Sequence, residues 1–137
     1  MNEPIRVGIV GSREYTNKTK IKDFIFNLKR KYNKDLVIVS GGCPNGADAI
    51  AKKYALEFEV GYEEYPPSHA RYNSYCVLSD NNYGKSYKAK NFFDRNKLIA
   101  RNSDLVVSFI PEGVESNGSR HTLKEANKLN KKTLIIQ

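Results

Sequence analysis

Tryptophan is absent from the 137 residues, methionine occurs once, histidine and cysteine twice each, and proline five times. Each scarcity excludes something. Two cysteines, Cys43 and Cys76, cannot build a disulfide framework, so a reducing, cytoplasmic setting is the expectation. His69 and His121 are isolated from each other and from the cysteines, which leaves no cluster with metal-ligand spacing; no metal or other cofactor is expected. No apolar run approaches the roughly 20 residues that a membrane-spanning helix needs, and Glu3 with Pro4 does not suit a secretory leader. A membrane partner is therefore not expected.

Acidic residues are also in the minority, 15 against 23 Lys and Arg, for a formal charge of +8. Most lysines fall on what read as solvated helix faces, such as Lys18, Lys20, Lys22, Lys29 and Lys31, or near the C-terminus at Lys128, Lys131 and Lys132. Such a surface attracts nucleic acid weakly and without sequence preference. The arginines are placed differently. Arg13, Arg71, Arg95 and Arg120 lie at or beside loops and helix starts, where a planar fork of donors suits an anionic ligand.

What is present is a helix–strand alternation. Apolar residues make up 39% and charged residues 28%, a balance that suits one globular domain over 1–137 and neither a disordered tail nor a coiled coil. Short β-branched runs at Ile5–Val10, Leu36–Val39, Val60–Tyr65, Leu105–Ile110 and Thr133–Ile136 read as strands. Between them, Ile21, Phe24, Ile25, Leu28 and Tyr32 recur at helical spacing, with Thr16 or Asn17 as the N-cap. Ala47, Ile50, Ala51, Tyr54, Ala55 and Phe58 do the same behind Asn45. Two further helices are expected at about Phe92–Arg101 and Ser119–Leu129. Strands that are apolar throughout belong in a parallel sheet covered on both faces. The expectation is an α/β, three-layer Rossmann-like domain with a mostly parallel five-stranded sheet in the order 3-2-1-4-5.

The segment 66–90 exceeds what this fold requires. It holds Tyr72, Tyr75, Tyr83 and Tyr87 with His69, Arg71 and Cys76, which argues for an ordered element. A lid over a site is the preferred reading; a packed side-extension or a contact between copies are the alternatives.

Three glycine-bearing loops follow strands one, two and four. Gly11-Ser12-Arg13 ends the first strand without forming the dinucleotide fingerprint G-x-G-x-x-G, which weakens a nicotinamide-dehydrogenase reading. Ser40-Gly41-Gly42-Cys43 and Asn45-Gly46-Ala47-Asp48 precede a helix whose free N–H groups offer an anion site. Asp48 either favours the helix dipole, holds a ribose hydroxyl or orients Arg13; Cys43 reads as a loop filler rather than a nucleophile. The third loop runs through Ser116, Asn117, Gly118 and Ser119 to Thr122, with Glu125 one turn on and His121 as a surface residue or a support behind the site rather than a catalytic one. Because all three loops leave the carboxyl ends of parallel strands, they share one edge, and the gap between strands one and four is where open α/β sheets bind ligands.

These residues, together with Arg95-Asn96 ahead of the fourth strand, resemble the SLOG superfamily, which joins DprA-like and LOG-type proteins; the small stand-alone YspA/YpsA-like branch is the most similar. The resemblance implies a Rossmann-like fold binding a nucleotide or a phosphoribosyl- or ADP-ribosyl-type ligand, as a sensor or sequestering protein. The ligand-binding positions are then Gly11, Ser12, Arg13, Gly41, Gly42, Gly46, Asp48, Arg95, Asn96, Gly118, Ser119 and Thr122. It also implies two alternatives: a DprA-like DNA-binding module, and a hydrolase of a nucleotide N-glycosidic bond. In the LOG enzymes an arginine and the glutamate of P-G-G-x-G-T-x-x-E serve that hydrolysis, and they fall on Arg95 and Glu125 here. This chain departs from that motif, with His121 in place of the glycine and no Pro-Gly-Gly before it. The family further implies a homodimer or higher homo-oligomer.

Overall fold

The computed structural model describes residues 3–137. Its five strands are β1 (Ile5–Gly11), β2 (Leu36–Ser40), β3 (Gly61–Glu64), β4 (Leu105–Phe109) and β5 (Lys132–Ile136). All four pairings are parallel and the order is β3-β2-β1-β4-β5. Val7 stands between Ile38 on one side and Leu105 on the other, so β1 is the central strand. The helices are α1 (Lys18–Tyr32), α2 (Gly46–Glu57), α3 (Ala89–Arg101) and α4 (Asn117–Lys128).

The apolar strands are buried from both sides. Val7, Ile9, Ile38, Val107 and Phe109 pack under Ile21 and Ile25 of α1 and Ala47, Ile50, Ala51 and Ala55 of α2. On the opposite face Val10, Val39 and Val106 pack under Ile99 and Ala100 of α3 and Leu123 and Ala126 of α4. Each fully buried Val, Leu or Ile contributes about 1.5–3 kcal/mol relative to exposure, so the two layers supply the main driving force. Consecutive residues facing opposite layers explain why the strands do not alternate with polar residues.

Element ends differ from the sequence expectation for local reasons. Of the two candidate caps for α1, Asn17 serves: its Oδ1 accepts the Lys20 amide at 3.2 Å. Asn45 occupies the cap position of α2 but its side chain makes no capping bond; the Ser12 carbonyl takes the Ala47 N–H instead, at 3.1 Å. The loop after β1 thus closes the start of α2. Val60 is not part of β3, because its amide returns to the Ala55 carbonyl (2.8 Å) and finishes α2. The helix before β4 begins at Ala89, a turn ahead of Phe92, and α4 begins at Asn117 rather than Ser119.

Segment 66–90 folds back onto the end of β3. The Glu64 amide donates to the Tyr75 carbonyl (3.1 Å) and the Val77 amide to the Glu64 carbonyl (3.3 Å), after which a 3-10 turn at Asp80–Asn82 leads into α3. Among the described residues no helix is long and apolar enough to cross a membrane.

Candidate functional site

Between the carboxyl ends of β1 and β4 lies a cavity of about 550 Å³. The loop after β1 contributes Gly11, Ser12, Arg13 and Glu14; Cys43 and Asp48 come from the approach to α2 and its first turn. Phe92, Phe93, Arg95 and Asn96 project from α3, while Glu115, Ser116, Gly118, Ser119 and Thr122 surround the start of α4. Tyr87 reaches the cavity from the 66–90 segment. The chain crosses to opposite faces of the sheet after β1 and β4, and that divergence opens the gap.

Arg95 is held rather than free. Its Nη1 donates to the Gly41 carbonyl at 2.8 Å and its Nε to Asn96 Oδ1 at 2.9 Å. Burial lowers its pKa, with Asp48 opposing that effect. The guanidinium lies 5.5 Å from the centre of the Phe92 ring, and that of the exposed Arg13 lies 6.0 Å from the same ring. Two cations therefore share one aromatic platform. Asn96 is buried and its Nδ2 donates to the Gly118 carbonyl at 3.3 Å, which ties α3 to the start of α4.

That start is open. Ser116 sits at the cap position without a capping bond, and its hydroxyl donates to Ser119 Oγ at 2.8 Å. Among the described residues the N–H groups of Asn117, Gly118 and Ser119 have no protein acceptor. Unsatisfied amides at the positive end of a helix suit an oxyanion. The start of α2 is different, because Ala47 N–H goes to the Ser12 carbonyl and Cys43 N–H to Asp48 Oδ2 (3.2 Å).

Asp48 is buried on the cavity wall, 8% exposed. Burial pushes its carboxyl up to about 6; Glu64 adds to that rise, while Arg95, the Cys43 amide and Arg13 oppose it. Glu14 and Glu115 are exposed acids on the same wall. The cavity thus carries both signs of charge, which suits a ligand combining an anionic group with hydrogen-bond donors.

Of the residues singled out from the sequence, Gly11, Ser12, Arg13, Asp48, Arg95, Asn96, Gly118, Ser119 and Thr122 are brought together on this wall. Gly41, Gly42 and Gly46 stand behind it. A Cβ on Gly41 would run into the Arg95 guanidinium and the Asp48 carboxylate, so the missing side chain makes room for both. Gly42 has φ +73° with the Glu64 side chain against its Cα. Glu125 is also off the wall: it pairs with His121 Nε2 at 3.3 Å and Lys128 Nζ at 3.4 Å. The His121 ring packs edge-on against Phe93, 4.7 Å between centres, and burial lowers its pKa.

Phe92, Phe93, Glu14 and Glu115 were not among the candidates, and Tyr87 was read only as part of the 66–90 segment. For Phe92 a signal existed. It precedes Arg95 by three residues, which puts the two on one helix face. Glu14 and Glu115 carry no such signature in their loops. Among the described residues no group of three or more His, Cys, Asp or Glu is placed to hold a metal ion.

The fold is similar to that of the molybdenum cofactor binding protein from the phototrophic bacterium Rippkaea orientalis, with a TM-score of 0.70 at 18% identity over 98% of this chain and 77% of that one. It is also similar to the molybdenum cofactor carrier protein from Chlamydomonas reinhardtii, with a TM-score of 0.66 at 14% identity over 98% of this chain and 76% of the other. At these identities the likeness is one of fold. No curated protein matches the chain. The family model described as DNA recombination-mediator protein A matches residues 1–137 throughout, and with the five-stranded parallel architecture this places the chain in that family and in the SLOG superfamily.

Proposed function

We propose that this protein binds a nucleotide or a nucleotide-derived anion, of the phosphoribosyl or ADP-ribosyl type, in the cavity at the carboxyl edge of the sheet, as a sensor or sequestering protein. The observation that carries this reading is the meeting of Arg13, Arg95 and the unsatisfied amides of Gly118 and Ser119 around one hollow. The amides and guanidiniums suit the phosphate, and Phe92 with Tyr87 offers aromatic surface to a base. Tyr87 makes the 66–90 segment a lid over one side of the site. The similar structures described as binding or carrying the molybdenum cofactor support the use of this fold to hold a small molecule.

The Glu125 carboxylate is taken by His121 and Lys128 and does not line the cavity as Arg95 does, which favours binding over N-glycosidic hydrolysis. The expected outcome in a thermal-shift screen is stabilisation by AMP, ADP-ribose or a cyclic dinucleotide, and a folded protein that responds to none of them overturns the reading.

A second reading, a DNA-binding module, is favoured by the family match and the +8 charge. Its test is the salt dependence of single-stranded DNA affinity. Binding that vanishes steeply with salt for every sequence reports the lysine surface alone.

A further inference from the structure

Resting on the nucleotide-binding reading above, we propose that Asp48 is a specificity-determining residue of the cavity: its carboxylate accepts a sugar hydroxyl beside the anionic group held by Arg13 and Arg95, so that the site selects ribose-bearing phosphates over phosphates lacking those hydroxyls.

Asp48 has unused bonding capacity. An ionised carboxylate has about four acceptor positions. Asp48 is given one donor by the protein, the Cys43 amide at 3.2 Å, and it makes no ion pair among the described residues. Yet it is 8% exposed and lies on the cavity wall, where bulk water does not supply the remaining bonds freely. A buried polar group left mostly unsatisfied in a protein whose other buried carboxylate, Glu64, is fully engaged is one that awaits a partner.

The surroundings identify the partner's chemistry. Arg95 approaches from α3 and Arg13 from the loop after β1, both favouring the ionised form. Glu64 and the Tyr62 phenol approach from β3 and Cys43 from the loop before α2; Glu64 opposes ionisation, and burial opposes it most. These influences leave the carboxyl near 6, so it is mostly an acceptor at neutral pH and mostly a neutral acid at pH 5. A second anion cannot sit against it, whereas a neutral hydroxyl donor can. A site built to hydrogen-bond a hydroxyl discriminates strongly against an analogue lacking it, because its buried acceptor is then left unpaired.

The test compares AMP with 2′,3′-dideoxy-AMP by isothermal titration calorimetry; the two share one phosphate and one base. For the unmodified protein at pH 7.5 the expected preference for AMP is at least about tenfold, as for a hydrogen bond to a charged group. Asp48→Asn and Asp48→Ala should each reduce the preference to within about threefold while retaining the dideoxy ligand. Lowering the pH to 5 should shrink the preference in the unmodified protein and leave it flat in the variants. Phosphate titration affects both ligands alike and cancels in the ratio. Equal affinities for the two nucleotides, or a preference that survives both substitutions, overturns the proposal. Because the pH arm uses only the unmodified protein, a variant that fails to fold does not remove the test. Binding of neither nucleotide removes the nucleotide reading itself, and this inference with it.

Discussion

Two buried carboxylates flank the Gly41-Gly42 turn, and the fold treats them in opposite ways. Glu64, at the end of β3, is 0% exposed and accepts from the Tyr62 hydroxyl at 2.9 Å, the Asn73 amide and the Cys76 thiol, with Lys52 Nζ at 3.3 Å. Asp48, at the start of α2, has one amide donor and a cavity in front of it. Glu64 therefore acts as a strut: Asn73 and Cys76 come from the 66–90 segment, and their bonds hold that segment to the sheet. The carboxylate whose partners come from the protein stabilises structure, and the one left short of partners is available to a ligand. Burial alone does not separate the two; the inventory of donors does.

The largest expected effect in testing that contrast is at Glu64. Glu64→Ala removes the common acceptor of the strut and should cost about 3–5 kcal/mol in urea denaturation, the range for breaking a buried charged network. It should also expose the 66–90 segment to limited proteolysis before the rest of the chain. Retention of full stability would show that the segment is held by its aromatic packing instead.

Asp48→Asn should act in the opposite direction. The native carboxyl sits near 6 against 3.8 for the ordinary group, so the native state binds the proton more tightly than the unfolded chain does. Stability is therefore lost as pH rises from about 4 to 6, and the loss is complete above that. Removing the charge should leave stability at pH 4 unchanged and raise it by at most about 3 kcal/mol at pH 7.5, as read from melts at both pH values. A variant less stable than the parent at pH 7.5 would make Asp48 a strut like Glu64.

Arg13→Ala should change ligand affinity without changing the fold, because the side chain is exposed and its charge faces the cavity. About a tenfold loss of AMP affinity, or about 1.4 kcal/mol, is expected with an unaltered melting temperature. Smallest of all is Tyr87→Ala. Tyr87 is 71% exposed, so stability should not move, and affinity for AMP should fall about two- to threefold while affinity for ribose 5-phosphate stays constant. An equal loss for both ligands would remove the base-contacting role proposed for Tyr87.

Much of the candidate site was legible because it uses short-range rules. Gly11-Ser12-Arg13 ends an apolar strand, Arg95-Asn96 interrupts an amphipathic helix with a polar pair, and Gly118-Ser119 opens another helix; each is a local pattern that points to one sheet edge. The glycines at 41, 42 and 46 were equally visible but their task was not. Read as an anion cradle, they instead leave space for Arg95, Asp48, Glu64 and the chain at Ser12-Arg13. What stands behind a missing Cβ belongs to distant segments, and no local pattern reports it. Glu125 illustrates the same limit: Thr122 and Glu125 are three residues apart, but His121 four residues before it and Lys128 three after it take its carboxylate.

Periodicity and composition by themselves determined where the strands and helices fall and that the sheet is parallel and covered on both faces, because continuous apolar runs must be buried from two sides. The order β3-β2-β1-β4-β5 is one of several that such runs allow, and the fold selected it. Tertiary structure decided which acid became a strut and which was left facing the cavity. The partners that make the difference, Lys52, Asn73 and Cys76 for one carboxylate and Arg95 reaching Gly41 across 54 positions beside the other, meet only when the chain has folded. Hydrogen bonds and ion pairs act over a few ångströms of space, whatever the distance along the sequence.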